Sequence, residues 1–146
     1  MRRLAILLLF VPACHHDRVG LPNPALTPGD TFPGVTLEQV CRKGYARSVR
    51  DVPEPLKREV FREYGVTVHD GDSYEVDHLI SLELGGSNDL KNLWPEPAEP
   101  RPGFHEKDKV ENWLHREVCA GRMALADAQR VIATDWISVY ERIRKD

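Results

Sequence analysis

The sequence predicts a small α+β domain in which helices dominate and a short two-stranded element is embedded. Three observations carry this. Helical periodicity recurs in three windows, near residues 54–64, 104–119 and 124–143. Between the first two, residues 66–95 switch to short β-branched and aromatic runs separated by turn signals. The length of 146 residues suits one domain, and 41% hydrophobic with 29% charged residues is an ordinary soluble composition. Wholesale disorder and a multi-span membrane protein are thereby excluded. A net charge of −3 excludes a protein that grips nucleic acid by bulk positive charge, so any such recognition must be local.

At the start of the chain, Arg2-Arg3 precede an unbroken apolar run from Leu4 to Val11. This is the pattern of a signal peptide over residues 1–13, and the run is too short to span a bilayer. Val11-Pro12-Ala13-Cys14 is similar to a bacterial lipobox, in which Cys14 would carry lipid and become the mature N-terminus. The expectation is an exported protein, periplasmic or held to the bacterial envelope only through that lipid. Removal of Arg2 and Arg3 takes the net charge from −3 to −5. Residues 14–35, with Pro22, Pro24, Pro28, Pro33, Gly20, Gly29 and Gly34, read as a tether without a core of its own. The folded domain is expected over 36–146.

Export fixes the reading of the cysteines. With Cys14 processed, Cys41 and Cys119 remain as an even pair in an oxidising compartment, and a disulfide between them is expected. Between Cys41 and the first helix lies the most cationic window of the chain. Arg42, Lys43, Arg47 and Arg50 surround Tyr45 with no acidic residue among them. It is either a phosphate-contacting loop or a solvated loop balanced by Asp51 and Glu54.

Pro53-Glu54-Pro55 opens a helix in which Leu56, Val60 and Tyr64 share a face, and Gly65 is its stop. Val66–Val68 and Tyr74–His78 are strand material around a turn at residues 69–72, and Leu90–Pro95 is the next strand candidate. Pro95, Pro97, Pro100 and Pro102 make a stiff connection. A helix from Phe104 to Cys119 carries Val110, Leu114 and Val118 on one face, with Gly121 as its stop. The last helix, from Ala124 to Ile143, carries Leu125, Ala128, Ile132, Trp136, Val139 and Ile143.

The chemistry-bearing string is Val76-Asp77-His78-Leu79-Ile80, then Leu84-Gly85-Gly86-Ser87-Asn88-Asp89, then Lys91-Asn92-Leu93-Trp94. An Asp-His pair closes a strand, a Gly-Gly loop follows, an Asn comes 14 residues after the His, and a polar helix comes next. Over residues 74–115 this resembles the HNH endonuclease family, the ββα-metal His finger. Lys107–His115 with Val118–Gly121 further resembles a small exported bacterial subgroup. The resemblance implies an HNH finger embedded in a small, mostly helical domain. It implies His78 as general base, Asp77 as a ligand of one divalent cation, and Asn92 as the residue that holds the hairpin loop and orients His78. In the family a third metal ligand follows about nine residues after the Asn; here that offset lands on Arg101. His105 is the first substitute and Asp108 the second, with Asn112 and His115 deeper in the helix.

These residue types suit phosphodiester hydrolysis, which needs an activated water and stabilisation of developing negative charge. The expected cofactor is Mg²⁺, with Mn²⁺ next. Zn²⁺ is disfavoured because no Cys pair flanks the finger. The expected protein is a monomeric metal-dependent endonuclease acting on DNA ahead of RNA, with Arg42, Lys43, Arg47 and Arg50 contacting nucleic acid. Two other readings compete: a non-catalytic envelope lipoprotein that uses the scaffold for binding, and a structural-metal module with His78 and His105 as zinc ligands.

Overall fold

The computed structural model describes residues 20–67, 70 and 72–145. The leader, Cys14, Val68 and His69 lie outside them. The elements run α1 (Leu37–Val40), α2 (Tyr45–Val49), α3 (Glu54–Glu63), β1 (Tyr74–His78), β2 (Leu93–Pro97), α4 (Phe104–Cys119) and α5 (Leu125–Ile143). The architecture is α+β. β1 and β2 form a two-stranded antiparallel ribbon that pairs Tyr74 with Pro97 and His78 with Leu93. No described helix is long and apolar enough to cross a membrane.

The three helices expected from periodicity form where their apolar residues recur. The ribbon differs from expectation at both ends. Val66 and Thr67 lie in no strand. The second strand starts at Leu93 rather than Leu90, because the Asp89 side chain accepts the Lys91 N–H at 3.0 Å and winds Leu90–Asn92 into a 3₁₀ turn first. β2 keeps Pro95, as the strand candidate did, and runs on to Pro97, expected in the connection after it. Both strands of a two-stranded ribbon are edges, so prolines lacking an N–H are tolerated there.

The core lies between α4 and α5. Val110, Leu114 and Val118 meet Ala128, Ile132, Trp136 and Val139, and Ile80 and Leu84 close it from the loop between the strands. The α5 backbone leaves helical geometry at Asp135 (φ −161°, ψ 46°), and the helix resumes beyond it. Sequence periodicity runs through this break because Ile132, Trp136 and Val139 still reach the same core.

The expected tether is corrected over residues 20–35. Polar backbone that composition assigned to solvent is bonded to the domain instead. Gly29 N–H donates to Lys91 O at 2.9 Å, Phe32 N–H to Gly85 O at 2.9 Å, and Thr31 bridges Gly86. Thr27, 1% exposed, donates its hydroxyl to Leu93 O at 2.9 Å. Trp136 Nε1–H donates to Gly20 O at 2.7 Å. This strap lies across the base of the hairpin loop, so the folded unit begins by residue 20 rather than at 36.

Cys41, which caps α1, is disulfide-bonded to Cys119, the last residue of α4. Their Cα atoms are 5.6 Å apart and their sequence separation is 78. Closing so long a loop is worth about 4–5 kcal/mol in the chain-entropy model. The intact oxidised protein should have a mass two hydrogens below that of the reduced chain. A Cys119→Ser variant should unfold at lower denaturant, with a loss of up to about 4 kcal/mol. Free thiols at both positions in the folded protein would refute the bridge.

Candidate functional site

The loop from Leu79 to Asn92 positions the site. Asn92 is fully buried, and its side chain holds both ends of the loop. It accepts the Ile80 N–H at 2.9 Å and donates to Ile80 O at 3.0 Å and to Ser87 O at 2.9 Å. It also accepts the Asp30 N–H at 3.3 Å, which ties in the strap. Gly86 makes this closure possible: a Cβ there would stand 1.7 Å from Ile80 O. Asn92 therefore clamps the loop, as expected, but its hydrogen bonds do not run to the His78 ring.

His78 ends β1 and is 1% exposed. Its Nε2 lies 3.0 Å from Asn88 Oδ1, and Asn88 Nδ2 donates to Val49 O at 2.8 Å. Nδ1 is buried and has no hydrogen-bond partner among the described residues. Burial holds the imidazole below its usual pKa, with the Asn88 contact and the charge of Asp77 opposing. His78 is therefore neutral at pH 7, with one ring nitrogen uncommitted.

Strand alternation turns the neighbouring Asp77 elsewhere. Its carboxylate accepts from Lys107 Nζ at 2.6 Å. That ammonium is fully buried, also donates to His78 O at 2.7 Å and to Glu111, and stands 3.9 Å from Glu96. Burial disfavours its charged form, but Asp77, Glu111 and Glu96 outweigh it and hold Lys107 well above the usual lysine range. Burial also raises Asp77, but Lys107 and Glu96 prevail and hold its carboxyl below the usual range. Burial pushes Glu96 well above the carboxylate range, and Asp77 adds to the rise against Lys107. Burial takes Glu111 to about 7, opposed by Lys107. One buried cation thus holds the Asp-His strand end against α4.

Glu75, two residues before Asp77 on β1, and Asp108 on α4 lie within electrostatic reach of Asp77. Burial and the charge of Asp77 raise both carboxyls, and Asp108 adds to the rise of Glu75. His105 is exposed, its ring 4.2 Å from that of Phe104, and its charge lowers Asp108. Asn112 donates back to Asp108 O at 2.7 Å, and His115 Nε2–H donates to Val40 O at 3.0 Å. Asp77, His105 and Asp108 do not close into a compact donor group. Among the described residues, Cys41, His115 and Cys119 are the only group of three or more His, Cys, Asp or Glu side chains whose ligand atoms all lie within 4.8 Å of one another, and the disulfide occupies both sulfurs. A zinc centre has no support there. Mg²⁺ needs only one or two carboxylates beside waters and substrate phosphate. Asp77 and Asp108 are hard oxygen donors near enough for the charge of Asp77 to act on Asp108, and Asp77 is at the same time paired with Lys107.

Arg42, Lys43, Arg47 and Arg50 line one groove of about 760 Å³, with Tyr45, Glu83 and His115 on its walls. None of the four forms an ion pair among the described residues. Glu54, expected to balance them, pairs with Lys57 at 2.7 Å instead. Arg50 also acts electrostatically on His78, Glu75 and Asp108, so the cationic groove reaches the strand end.

The chain matches no family model, and no curated protein or solved structure is significantly similar to it.

Sequence reasoning missed Lys107, Glu96, Glu111 and Asn88. A Lys four residues before a Glu on a polar helix reads as a surface pair, and nothing local announced its burial. Asn88 had a visible signal, a polar residue inside the Gly-Gly loop, but its partners lie on α2 and β1. The state of Glu111 can be tested. Its folded pKa exceeds the unfolded value, so the folded state holds the proton more tightly. The stability this contributes is full below about pH 4.5 and is lost as pH rises to about 7. Thermal melts of Glu111→Gln should show a flatter pH dependence across that window than the parent protein; identical curves would show that Glu111 does not titrate there.

Proposed function

We propose that the protein is a metal-dependent endonuclease of the HNH type. One observation carries the reading: His78, neutral and with a buried Nδ1 that has no hydrogen-bond partner among the described residues, lies within electrostatic reach of both Asp77 and Arg50, one of four groove cations that form no ion pair among the described residues. The long loop clamped by Asn92 between two antiparallel strands, followed by a helix, supports the same family reading.

His78 Nδ1 takes a proton from a water, whose oxygen attacks phosphorus while the bond to the leaving oxygen breaks. Burial keeps the ring neutral, so it can accept that proton at pH 7. Lys107 fixes Asp77, and with it the strand end, in one position. Arg50 and the groove cations bind the phosphates flanking the cut. A divalent cation, Mg²⁺ ahead of Mn²⁺, would be held by Asp77 and Asp108 and would supply charge neutralisation at the phosphate and the leaving oxygen. The substrate is DNA ahead of RNA, and the protein acts as a monomer. Export to the bacterial envelope, with or without lipid on Cys14, accords with the disulfide.

One observation favours a second reading. Lys107 already neutralises Asp77, as it would in a scaffold that binds without cutting.

Plasmid digestion by the purified, oxidised protein separates the two. Cutting should require Mg²⁺ or Mn²⁺ and stop with EDTA, and His78→Ala should lower the rate by about 10²–10⁴-fold. Absence of metal-dependent cutting sinks the endonuclease reading and leaves the binding scaffold. The groove has its own test in the double variant Arg42→Glu with Arg47→Glu. Its affinity for a short duplex should fall, and the slope of log K against log salt should flatten by about 0.9 for each phosphate no longer neutralised. An unchanged slope removes the groove from the interface.

A further inference from the structure

The Asn88 side chain has two chemically different ends, and the fold gives each a partner that admits only one assignment. Val49 O is a carbonyl and can only accept, so the amide end facing it at 2.8 Å is the donating NH₂. The other end, Oδ1, then faces His78 Nε2 at 3.0 Å and can only accept. The imidazole hydrogen must sit on Nε2. In a neutral ring the lone pair is then on Nδ1, the atom that is buried without a partner among the described residues. Val49 is the last residue of α2, in the segment whose cations line the groove, so the amide is anchored to the substrate-facing wall.

We propose that Asn88 is the positioning residue of the site: it uses the end of α2 as an anchor to hold the His78 ring in one orientation and in the Nε2–H tautomer. The catalytic part of this rests on the nuclease reading; the tautomer does not. Asn92, expected in this role, spends its hydrogen bonds on the loop backbone. For metal-ligating imidazoles the loss of the partner that orients the ring typically costs about 10–100-fold, and the same order is expected for a base held in this way.

The test is ¹⁵N NMR of the imidazole nitrogens in the full protein, beside steady-state cleavage, for the parent, Asn88→Leu and Asn88→Asp. The parent should show Nε2 protonated and Nδ1 bare. Asn88→Leu should show the two nitrogen shifts drawn together by exchange between tautomers. Its kcat should fall about 10–100-fold with KM within about twofold. Asn88→Asp keeps an acceptor facing Nε2 but has no donor for Val49 O, so it should retain the parent tautomer while its kcat falls between those of the parent and Asn88→Leu. A parent ring protonated on Nδ1 overturns the proposal, and so does an Asn88→Leu variant with parental shifts and kcat. If the parent does not cleave at all, the nuclease reading fails, and the NMR series alone decides whether Asn88 sets the tautomer.

Discussion

A single buried ammonium organises the centre of this protein. Lys107 cannot lie in an apolar interior without compensation, and it finds it in Asp77, Glu111, Glu96 and the carbonyl of His78. Two of these groups belong to the strand end, one to β2 and one to α4 itself. The ammonium is therefore the point at which the ribbon and the core helix meet. Its partners are unequal: Glu96 is driven toward its neutral form, while Asp77 stays ionised. The charge balance leaves one firm ion pair directed at the residue beside His78. Removing the cation would leave several carboxyls buried without a counter-charge, a far larger loss than that of a surface pair.

Around that point the remaining side chains divide the work. Asn92 and Gly86 close the loop, the strap from Gly20 to Val35 supports it from below, and Asn88 reaches from it to α2. The result is a buried imidazole on which both the Asp77 carboxylate and the Arg50 guanidinium of the cationic groove act. A net charge of −3 does not forbid a local positive surface. An acidic protein can still present a positive surface to an anionic partner if its basic residues are gathered and left without ion pairs, as Arg42, Lys43, Arg47 and Arg50 are among the described residues.

How much of this was legible follows from how local each cause is. Leu56 and Val60, Val110 and Leu114, Ile132 and Trp136 announce their helices because spacing along the chain decides which face is buried. The Gly-Gly loop and Asn92 were legible because a tight closure restricts residue types at fixed offsets. The second strand was misplaced because Asp89 competes for the backbone of Leu90–Asn92 through its side chain. The strap was unreadable because proline and glycine signal the absence of regular structure and say nothing of contact. Lys107 was unreadable for a stronger reason. Its burial is decided by residues on other elements, and a lysine in a helix otherwise belongs in water.

The disulfide fastens the residue from which the cationic segment springs to the last turn of α4, where His115 forms the facing wall of the groove. On the proposed reading, the two walls would be covalently fixed only after the chain had been oxidised. A copy still inside a reducing cytosol would keep a looser, less competent groove among the producing cell's own nucleic acid. The bridge would then tie the shape of the groove to the redox state of the compartment that the chain has reached.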